Sequence, residues 1–299
     1  MERRGHRAWV GALVVLMLAG IARAAVIMPV FGPKSRVTEL NSLENDVATW
    51  VSDDGLKVVL HSRRNGRDEL FSAARASTAV PFSTPSSAEF ALNNMPGDVV
   101  HGVLSPNGLE LFYSDHSRST PRRIMRATRA NTASPFSAGA PEAALQFPNG
   151  AYPSYLSTDG LRLYLFKPLE SQAFVATRSS IGASFGTPSG APFVNLATID
   201  SHSLTSDELQ MFFSTGRQLW WTSRPNMATP FAAPQVLSSV TGYNLGAPVF
   251  FNGDTLLFYD DLADGIAYGD VWTARIPEPG GIAVLIALGG VAGLGRWRR

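Results

Sequence analysis

The chain has 299 residues, no cysteine and a formal net charge of +1. Seven of its 25 basic residues lie in the first 24 and the last 23 residues, which leaves a body with 18 basic and 22 acidic side chains, the two signs interspersed. This balance excludes a basic nucleic-acid-binding surface. The lack of cysteine excludes disulfides and thiol chemistry, so a body of about 250 residues must be stabilised by its hydrophobic core.

Residues 1–24 have the features of a secretory signal peptide. Three arginines, Arg3, Arg4 and Arg7, precede an apolar run over residues 9–19, and Ala22 and Ala24 form a small-x-small cleavage site. An apolar run of about ten residues is too short to span a membrane, so we predict a cleaved signal helix rather than an anchor. The mature protein is expected to begin near Ala25.

Residues 25–276 contain five copies of one pattern, and each copy opens with a turn. The turns, at intervals of 53, 52, 48 and 45 residues, are Val51–Gly55, Leu104–Gly108, Leu156–Gly160, Leu204–Glu208 and Val249–Gly253. Two apolar runs follow each turn, and the second ends on a small-x-Arg motif, at Arg75, Arg129, Arg178, Arg224 and Arg275. Seven residues after the first four arginines comes a phenylalanine: Phe82, Phe136, Phe185 and Phe231. Such regularity indicates a repeat architecture.

The repeats predict an all-β fold. Their apolar runs are short, rich in β-branched and aromatic residues and bounded by Gly, Pro, Ser, Asn and Asp, with no sustained helical periodicity. A unit of about 50 residues with four short strands is typical of one blade of a β-propeller. We therefore predict a propeller, with five blades.

The two ends of the body are predicted to pair. Residues 30–41 resemble the stretch that follows each arginine motif, so they form a fourth strand without a blade of its own. The last repeat has the opposite deficit, because Pro277 follows Arg275 almost at once. We expect the N-terminal strand to complete the last blade, which closes the ring and covers sheet edges that would otherwise be open.

The turn Leu104–Gly108, the strand Leu109–Ser114 and the later Ala-Thr-Arg129 resemble the WD40-like repeats of TolB-type propellers. The resemblance covers about residues 30–276. TolB-type propellers usually have six blades, so a six-bladed arrangement is the alternative. The resemblance brings no catalytic motif and implies an extracytoplasmic interaction scaffold.

Candidate ligand-binding residues lie just before the innermost strands, where they can face the central channel: Asp46, Asp98, His101, Asp200 and His202. A glycosidase needs two carboxylates that face one site. The offsets of these aspartates from their turns differ, and no glutamate takes the corresponding place. Asp or Asn at such a junction most often hydrogen-bonds its own backbone, so we favour that interpretation over a ligand-facing role.

Trp221 is the candidate for stacking on a sugar, since Trp220 and Trp221 point to opposite faces of a strand. Packing between blades is the favoured role for either ring.

The remaining motifs predict no metal, no cofactor and no known catalytic machinery. The Asp-Gly and Asn-Gly turns occur once per repeat and lack the dense oxygen ligands of a calcium loop. Five scattered histidines show no short metal-binding spacing, and no G-x-S-x-G motif is present. We interpret the repeated arginines as contacts between blades.

Residues 277–299 form a three-part tail. Pro277, Glu278 and Pro279 precede an uncharged stretch, Gly280–Leu294, and three arginines follow, at Arg296, Arg298 and Arg299. As a helix the stretch is about 22 Å long, which is short for a membrane span. The tail resembles the PEP-CTERM sorting signal, which implies transient insertion in the inner membrane and cleavage by an exosortase. An ordinary C-terminal anchor is the alternative.

These features predict an exported, monomeric, non-catalytic propeller that binds a polysaccharide or a protein partner. The tail resemblance implies a place in the cell envelope, at the cell surface or in an exopolysaccharide matrix. Two alternatives remain: a secreted glycoside hydrolase or lyase with channel-facing carboxylates, and a periplasmic TolB-like partner of an envelope complex.

Overall fold

A computed structural model describes residues 28–116, 122–167, 172–190, 199–240, 245–251, 255–260 and 269–276. The predicted signal peptide and sorting tail, with their cleavage site and the helices expected there, lie outside the described residues. Within the described part, no helix has the length and hydropathy required to cross a membrane.

The described chain is built almost entirely of antiparallel strands in five sheets. A short strand, β1 (Ser35–Arg36), comes first. The first sheet contains β2 (Asp46–Val51), β3 (Lys57–Ser62) and β4 (Glu69–Ala74). The second contains β5 (Asp98–Leu104), β6 (Glu110–His116), β7 (Arg123–Thr128) and β8 (Ala140–Pro141). Two short 3₁₀ helices, Ala91–Asn94 and Ala143–Leu145, lie between sheets.

The other three sheets repeat the order of the second. The third contains β9 (Tyr152–Leu156), β10 (Arg162–Lys167), β11 (Gln172–Thr177) and β12 (Ser189–Gly190). The fourth contains β13 (Ser201–Leu204), β14 (Gln210–Thr215), β15 (Gln218–Ser223) and β16 (Gln235–Val236). The fifth contains β17 (Leu245–Phe251), β18 (Thr255–Asp260) and β19 (Asp270–Arg275), with β1 at its edge.

The sheets are arranged around an axis. Each sheet contacts the next one along the chain, and the fifth contacts the first through β17 and β2. The predicted all-β propeller fold is therefore confirmed. The predicted pairing of the chain ends is also present: Ser35 pairs with Thr273 and Arg36 with Trp272.

The first sheet has three strands, where the repeat predicts four. Its fourth strand is reduced to one bridge, in which Ser72 and Ser86 exchange two backbone hydrogen bonds of 2.9 and 2.8 Å. A proline also precedes the fourth strand of the third and fourth sheets, at Pro188 and Pro234, so the proline before Ser86 does not explain the shorter pairing.

The repeated turns fold through their own side chains. In the third sheet Ser157 Oγ donates to Asp159 Oδ1 at 2.6 Å and accepts the N–H of Arg162 at 2.9 Å. Gly160 has a φ of +70°, which a residue with a side chain adopts only with strain. The fourth repeat has Glu208 at this position, with a φ of +57°. Its carboxylate accepts hydrogen bonds from Arg162 and Tyr164 of the preceding sheet, which offsets that strain.

The repeated arginines and phenylalanines form one recurring contact. Each guanidinium lies over the ring seven residues later, at 4.3, 4.3, 4.7 and 4.4 Å from its centroid, in the pairs Arg75–Phe82, Arg129–Phe136, Arg178–Phe185 and Arg224–Phe231. In each case Nε also donates to the carbonyl of the last turn residue: Gly55, Gly108, Gly160 or Glu208. The motif thus connects the turn to the end of the third strand in each of these four sheets.

Some of these arginines also connect sheets, as the sequence predicts. Arg178, in the third repeat, donates to both carboxylate oxygens of Glu110 in the second sheet, at 3.0 and 2.6 Å. Both side chains are almost fully buried. The hydrophobic core lies in the same inter-sheet layers; for example, Tyr164 of the third sheet packs in one cluster with Met211 and Phe213 of the fourth.

Candidate functional site

The innermost strands of the sheets are irregular at one level. The pairing register shifts between Ala48 and Trp50 in β2, between Val100 and Val103 in β5, and at the corresponding point of β9. His101 lies in the β5 irregularity with a φ of +55°, a left-handed conformation that is unusual for a residue other than glycine. Strained backbone of this kind is often found at binding sites.

Polar contacts between inner strands fill the axis at this level. Thr49 Oγ1 donates to the carbonyl of Gly102 at 2.8 Å, which connects the first and second sheets. Ser154 Oγ lies 3.0 Å from His202 Nε2, which connects the third and fourth. Thr49, Gly102, Ser154 and His202 each stand three residues before the Ser or Thr that opens a turn. This recurring position in the sequence therefore marks the residues that meet at the axis.

A pocket of about 430 Å³ lies at the end of the axis where the inner strands begin, and we call it the mouth pocket. Eight residues line it: Asn45, His61, Arg63, Asp68, Val100, His101, His116 and Tyr152. They come from the first three sheets and the segments next to them. Its volume lies within the range of small-molecule sites, about 300–1,000 Å³.

Aromatic and imidazole rings form the apolar part of this wall. The ring of His101 lies 4.3 Å from that of Tyr152 and 5.1 Å from that of His61, measured between centroids. His116 lies 5.2 Å from Tyr152. Behind them Phe166 contacts both His101 and His202, at 5.4 and 6.2 Å. Four of the five histidines of the chain therefore belong to one connected group of rings.

Burial keeps these histidines uncharged at neutral pH. It lowers the pKa of His61 to about 3, with a further effect of His116, and lowers the pKa of His202 to about 3. Burial, followed by the charge of Arg122, lowers the pKa of His116 to about 4. The pKa of His101 is also well below its usual range, first because of burial. Neutral imidazoles can both donate and accept hydrogen bonds.

Two of the imidazole nitrogens have no hydrogen-bond partner among the described residues, Nδ1 of His61 and Nε2 of His116. Both rings line the mouth pocket. An unpaired buried polar atom costs about 1–3 kcal/mol. Tyr152 adds a hydroxyl that stays protonated, because burial raises its pKa to about 12.

Asp68 is the carboxylate in the pocket wall, and the sequence analysis missed it. It pairs with Arg63 at 3.5 Å. Burial raises the pKa of Asp68; the charge of Arg63 lowers it in part, and that of Asp98 raises it further. Asp98, a predicted candidate, stands opposite His116 in the β5–β6 ladder, at the edge of the pocket. Asp68 follows the second strand of its sheet, a position that we did not consider.

The structure does not bring the other predicted candidates to the pocket. Asp46 is fully buried, pairs with Arg64 at 2.6 Å and accepts hydrogen bonds from Ser42, so its role is structural. Asp200 is exposed and outside the pocket lining. Because Asp46 is engaged in this way, the structure does not assemble the predicted set of channel-facing aspartates.

The structure buries Trp221, the candidate for stacking on a sugar, so the ring has the favoured packing role and does not face a ligand. Trp221 is buried in a cluster with Phe212 and Leu237, and its indole N–H donates to Gln210 at 2.9 Å. It belongs to the core between sheets. Trp220, on the other face of the strand, is only partly buried and stacks on Phe213 at 6.3 Å.

A second pocket of about 240 Å³ lies at the opposite end of the axis, among the turns. Its lining includes Trp50, Asp53, Leu104 and Leu156. In the part of the chain that the structure describes, no group of three or more His, Asp or Glu side chains has the geometry of a metal site.

Comparisons with known proteins place the fold but not the function. No protein-family model matches this sequence, and no curated protein matches it either. Among solved structures, RS223-β-xylosidase superposes with a TM-score of 0.55 at 11% identity, covering 81% of this chain and 94% of that one. At this identity the likeness concerns the fold alone.

Two further structures are similar at lower scores. A thermostable family-43 glycoside hydrolase has a TM-score of 0.49 at 10% identity, covering 77% of this chain and 88% of that one. TolB from Acinetobacter baumannii has a TM-score of 0.46 at 13% identity, covering 79% of this chain and 56% of that one. The strand order and the contacts between successive sheets define the protein as an all-β propeller, and the mouth pocket lies at one end of its axis.

Proposed function

We propose that the protein is an exported, non-catalytic, five-bladed propeller that binds a polysaccharide of the cell surface or matrix through the mouth pocket. The five sheets would be the five blades, with β1 completing the last. Residues 1–24 would direct export, and residues 277–299 would direct sorting by an exosortase. The mature protein would act as a monomer at the envelope or cell surface.

The observation that carries this proposal is the composition of the mouth pocket. Ring faces of His101 and Tyr152 stand beside the polar groups of Asn45, Arg63 and Asp68. Sugars present both an apolar face of C–H groups and a rim of hydroxyls, so they need this combination of rings and hydrogen-bonding groups. A protein partner would instead favour a wider and flatter apolar surface.

Loss of the Tyr152 ring is expected to weaken polysaccharide binding. We expect Tyr152→Ala to reduce the affinity for the host polysaccharide by roughly 2- to 10-fold, since ring contacts contribute about 0.5–1.5 kcal/mol. Affinity electrophoresis or calorimetry on purified polysaccharide would measure this. The control is Asp53→Asn in the pocket at the opposite end, which should bind as the wild type does. Equal binding by the Tyr152 variant would contradict the assignment of the site.

A second candidate function, glycoside hydrolysis or lysis, is favoured by one observation. Asp68 has a raised pKa and lies close enough to Asp98 for their charges to interact. A carboxyl group with a raised pKa beside a second carboxylate is the arrangement that hydrolases use. Release of reducing or unsaturated sugars by the wild type, lost in Asp68→Asn, would establish this candidate in place of the first.

Cleavage of the tail is the expected sign of sorting. In the native host we expect the intact mass to lack about 20 C-terminal residues, with the cut near Pro277–Pro279, because a short apolar stretch before arginines holds the chain in the membrane for processing. A strain without the exosortase should retain the full tail in its membrane fraction. A full-length tail in both strains would instead make this an anchored propeller.

A further inference from the structure

The mouth pocket is closed at its inner end. Three residues in and next to β2 show this in chain order. Asn45, just before the strand, lines the mouth pocket, Thr49 is buried at the axis, and Trp50 lines the pocket at the opposite end. The two pockets share no lining residue. Polar contacts of Thr49 with Gly102, and of Ser154 with His202, stand at the level between them.

The innermost strand of the third sheet passes through the same three levels: mouth pocket, buried axis and opposite pocket. Tyr152 lines the mouth pocket, Ser154 is buried at the axis and Leu156 lines the opposite pocket. Buried side chains of the described part of the chain therefore occupy this level, and a polymer threaded along the axis would have to displace them. A closed pocket admits the end of a chain or a short branch.

The charges at the mouth compensate one another. Arg63 and Asp68, the charged residues of the lining, pair at 3.5 Å. Just outside the lining, the guanidinium of Arg122 lies 5.2 Å from the ring centroid of Tyr152, and Asp98 stands opposite His116. Among the described residues, two positive and two negative side chains thus stand in or next to the lining, and their charges balance.

The unpaired groups are neutral imidazoles at the pocket wall. His61 is 7% exposed, and its Nδ1 has no partner among the described residues. The Nε2 atom of His116 is also buried and has no partner among the described residues. A neutral imidazole nitrogen binds an alcohol well, because a hydroxyl can donate to its lone pair or accept from its N–H. Burial disfavours an imidazolium here, so the histidines do not provide charge for an acidic group.

We infer that the mouth pocket binds a terminal, uncharged sugar residue of a glycan, held by ring contacts with Tyr152 and His101 and by hydroxyl hydrogen bonds to His61 and His116. This inference rests on the proposed function and makes it specific. The protein recognises chain ends or branch tips and not the interior of a polymer. Glycans that end in uronic acids or carry sulfate or phosphate at the tip are poor ligands.

Calorimetry with defined glycans tests the inference. The probes are linear neutral hexose oligosaccharides, their cyclic counterparts without a chain end, and uronic acid oligosaccharides of equal length. We expect the linear neutral series to include a ligand that binds at least 10-fold more tightly than the cyclic and uronic probes. Equal or tighter binding of a cyclic or uronic probe would overturn the inference.

Variants assign the effect to the histidines. His61→Phe keeps an aromatic ring and removes Nδ1. We expect this variant to bind the best neutral ligand with an affinity at least 10-fold lower than that of the wild type. His116→Phe is a second variant at a more open position, should His61→Phe fail to fold by circular dichroism. Asp53→Asn at the opposite pocket is the control and should bind unchanged. Wild-type affinity in both folded histidine variants would overturn the assignment.

The outcomes separate this inference from the proposed function. If the wild type binds its host polysaccharide but shows no preference for neutral chain ends, the inference fails and the proposed function stands. If the wild type binds neither the host polysaccharide nor any defined glycan, both fail.

Discussion

Lowering the pH from 7.5 to 5 is expected to reduce the free energy of unfolding by about 4 kcal/mol through His61 and His202 alone. Burial lowers the pKa of each to about 3 in the folded protein, whereas a histidine in the unfolded chain keeps a value near 6.5. Between these values the unfolded chain binds protons that the folded protein does not. Stability therefore rises with pH across this window and is fully present above about pH 7.

His101 and His116 add to this effect in the same direction, because burial lowers the pKa of both. The acidic groups act in the opposite direction or at lower pH. The raised pKa of Asp68 makes the folded protein bind a proton more readily, so this group adds stability as the pH falls. Burial would raise the pKa of Glu110, but its hydrogen bonds and ion pairs with Arg178 and Arg126 offset this and leave the pKa lowered. The stability contributed by such a carboxylate is lost only below its ordinary value of 4.5. A loss between pH 6.5 and 5 therefore reports on the histidines.

Urea unfolding at pH 7.5, 6.5, 5.5 and 5 would measure this dependence. The matched variant is His61→Phe, whose stability should fall by about 2 kcal/mol less than that of the wild type over the same interval, whatever its stability at pH 7.5. The comparison uses a difference between two pH values, so the packing effect of the substitution cancels. A wild type with constant stability from pH 7.5 to 5 would show that these histidines are not buried as described.

Phe136→Ala is expected to destabilise the protein by about 3–5 kcal/mol. The ring is fully buried, stacks on Phe90 with a centroid distance of 6.2 Å and has the guanidinium of Arg129 over its face at 4.3 Å. Its removal leaves a cavity and also removes the surface that Arg129 covers. Since Arg129 pairs with Glu89, the loss extends to an ion pair between segments.

Thermal and urea unfolding would measure the effect. Phe136→Leu retains most of the volume and should cost less than half as much. Val80→Ala is the exposed control, because Val80 is 42% exposed and its truncation should change stability by less than about 0.5 kcal/mol. If the Phe136→Ala variant were as stable as the Val80→Ala control, the assignment of Phe136 to the core of the repeat would be contradicted.

The periodic features of the fold could be predicted from the sequence. Three features recur in the repeats: the Ser-x-Asp-Gly turn, the strand after it and the small-x-Arg motif. They recur because the same turn has to be stabilised in each sheet. The turn serine satisfies backbone N–H groups, and the arginine caps the turn carbonyl and covers a phenylalanine. The pairing of β1 with β19 was predictable for the same reason, since one repeat lacks a strand that the N-terminus supplies.

The first sheet departs from the pattern by its shortened fourth strand, a single bridge at Ser86. The sequence does not signal this departure, because Pro85 and Ser86 stand where Pro188 and Ser189 of the third repeat begin a two-residue strand.

The candidate site could be predicted only in part. Of the predicted candidates, His101 lines the mouth pocket and Asp98 stands beside it, whereas His61, His116, Asp68 and Tyr152 were not among the candidates. Equivalent positions of different repeats do not build this pocket. His61 and His116 come from second strands, His101 from a bulge in an inner strand, and Tyr152 from the start of the next inner strand.

The sequence by itself determined the repeat, the turn chemistry and the joining of the two chain ends, because each depends on neighbours in the chain or on a repeated pattern. The tertiary structure decided which side chains reach the axis and what each of them meets there. It placed four histidines in one group of rings, engaged Asp46 with Arg64 and buried Trp221 between sheets. Burial and pairing are set by residues that are distant in the chain, and these in turn set the charge and the availability of each group.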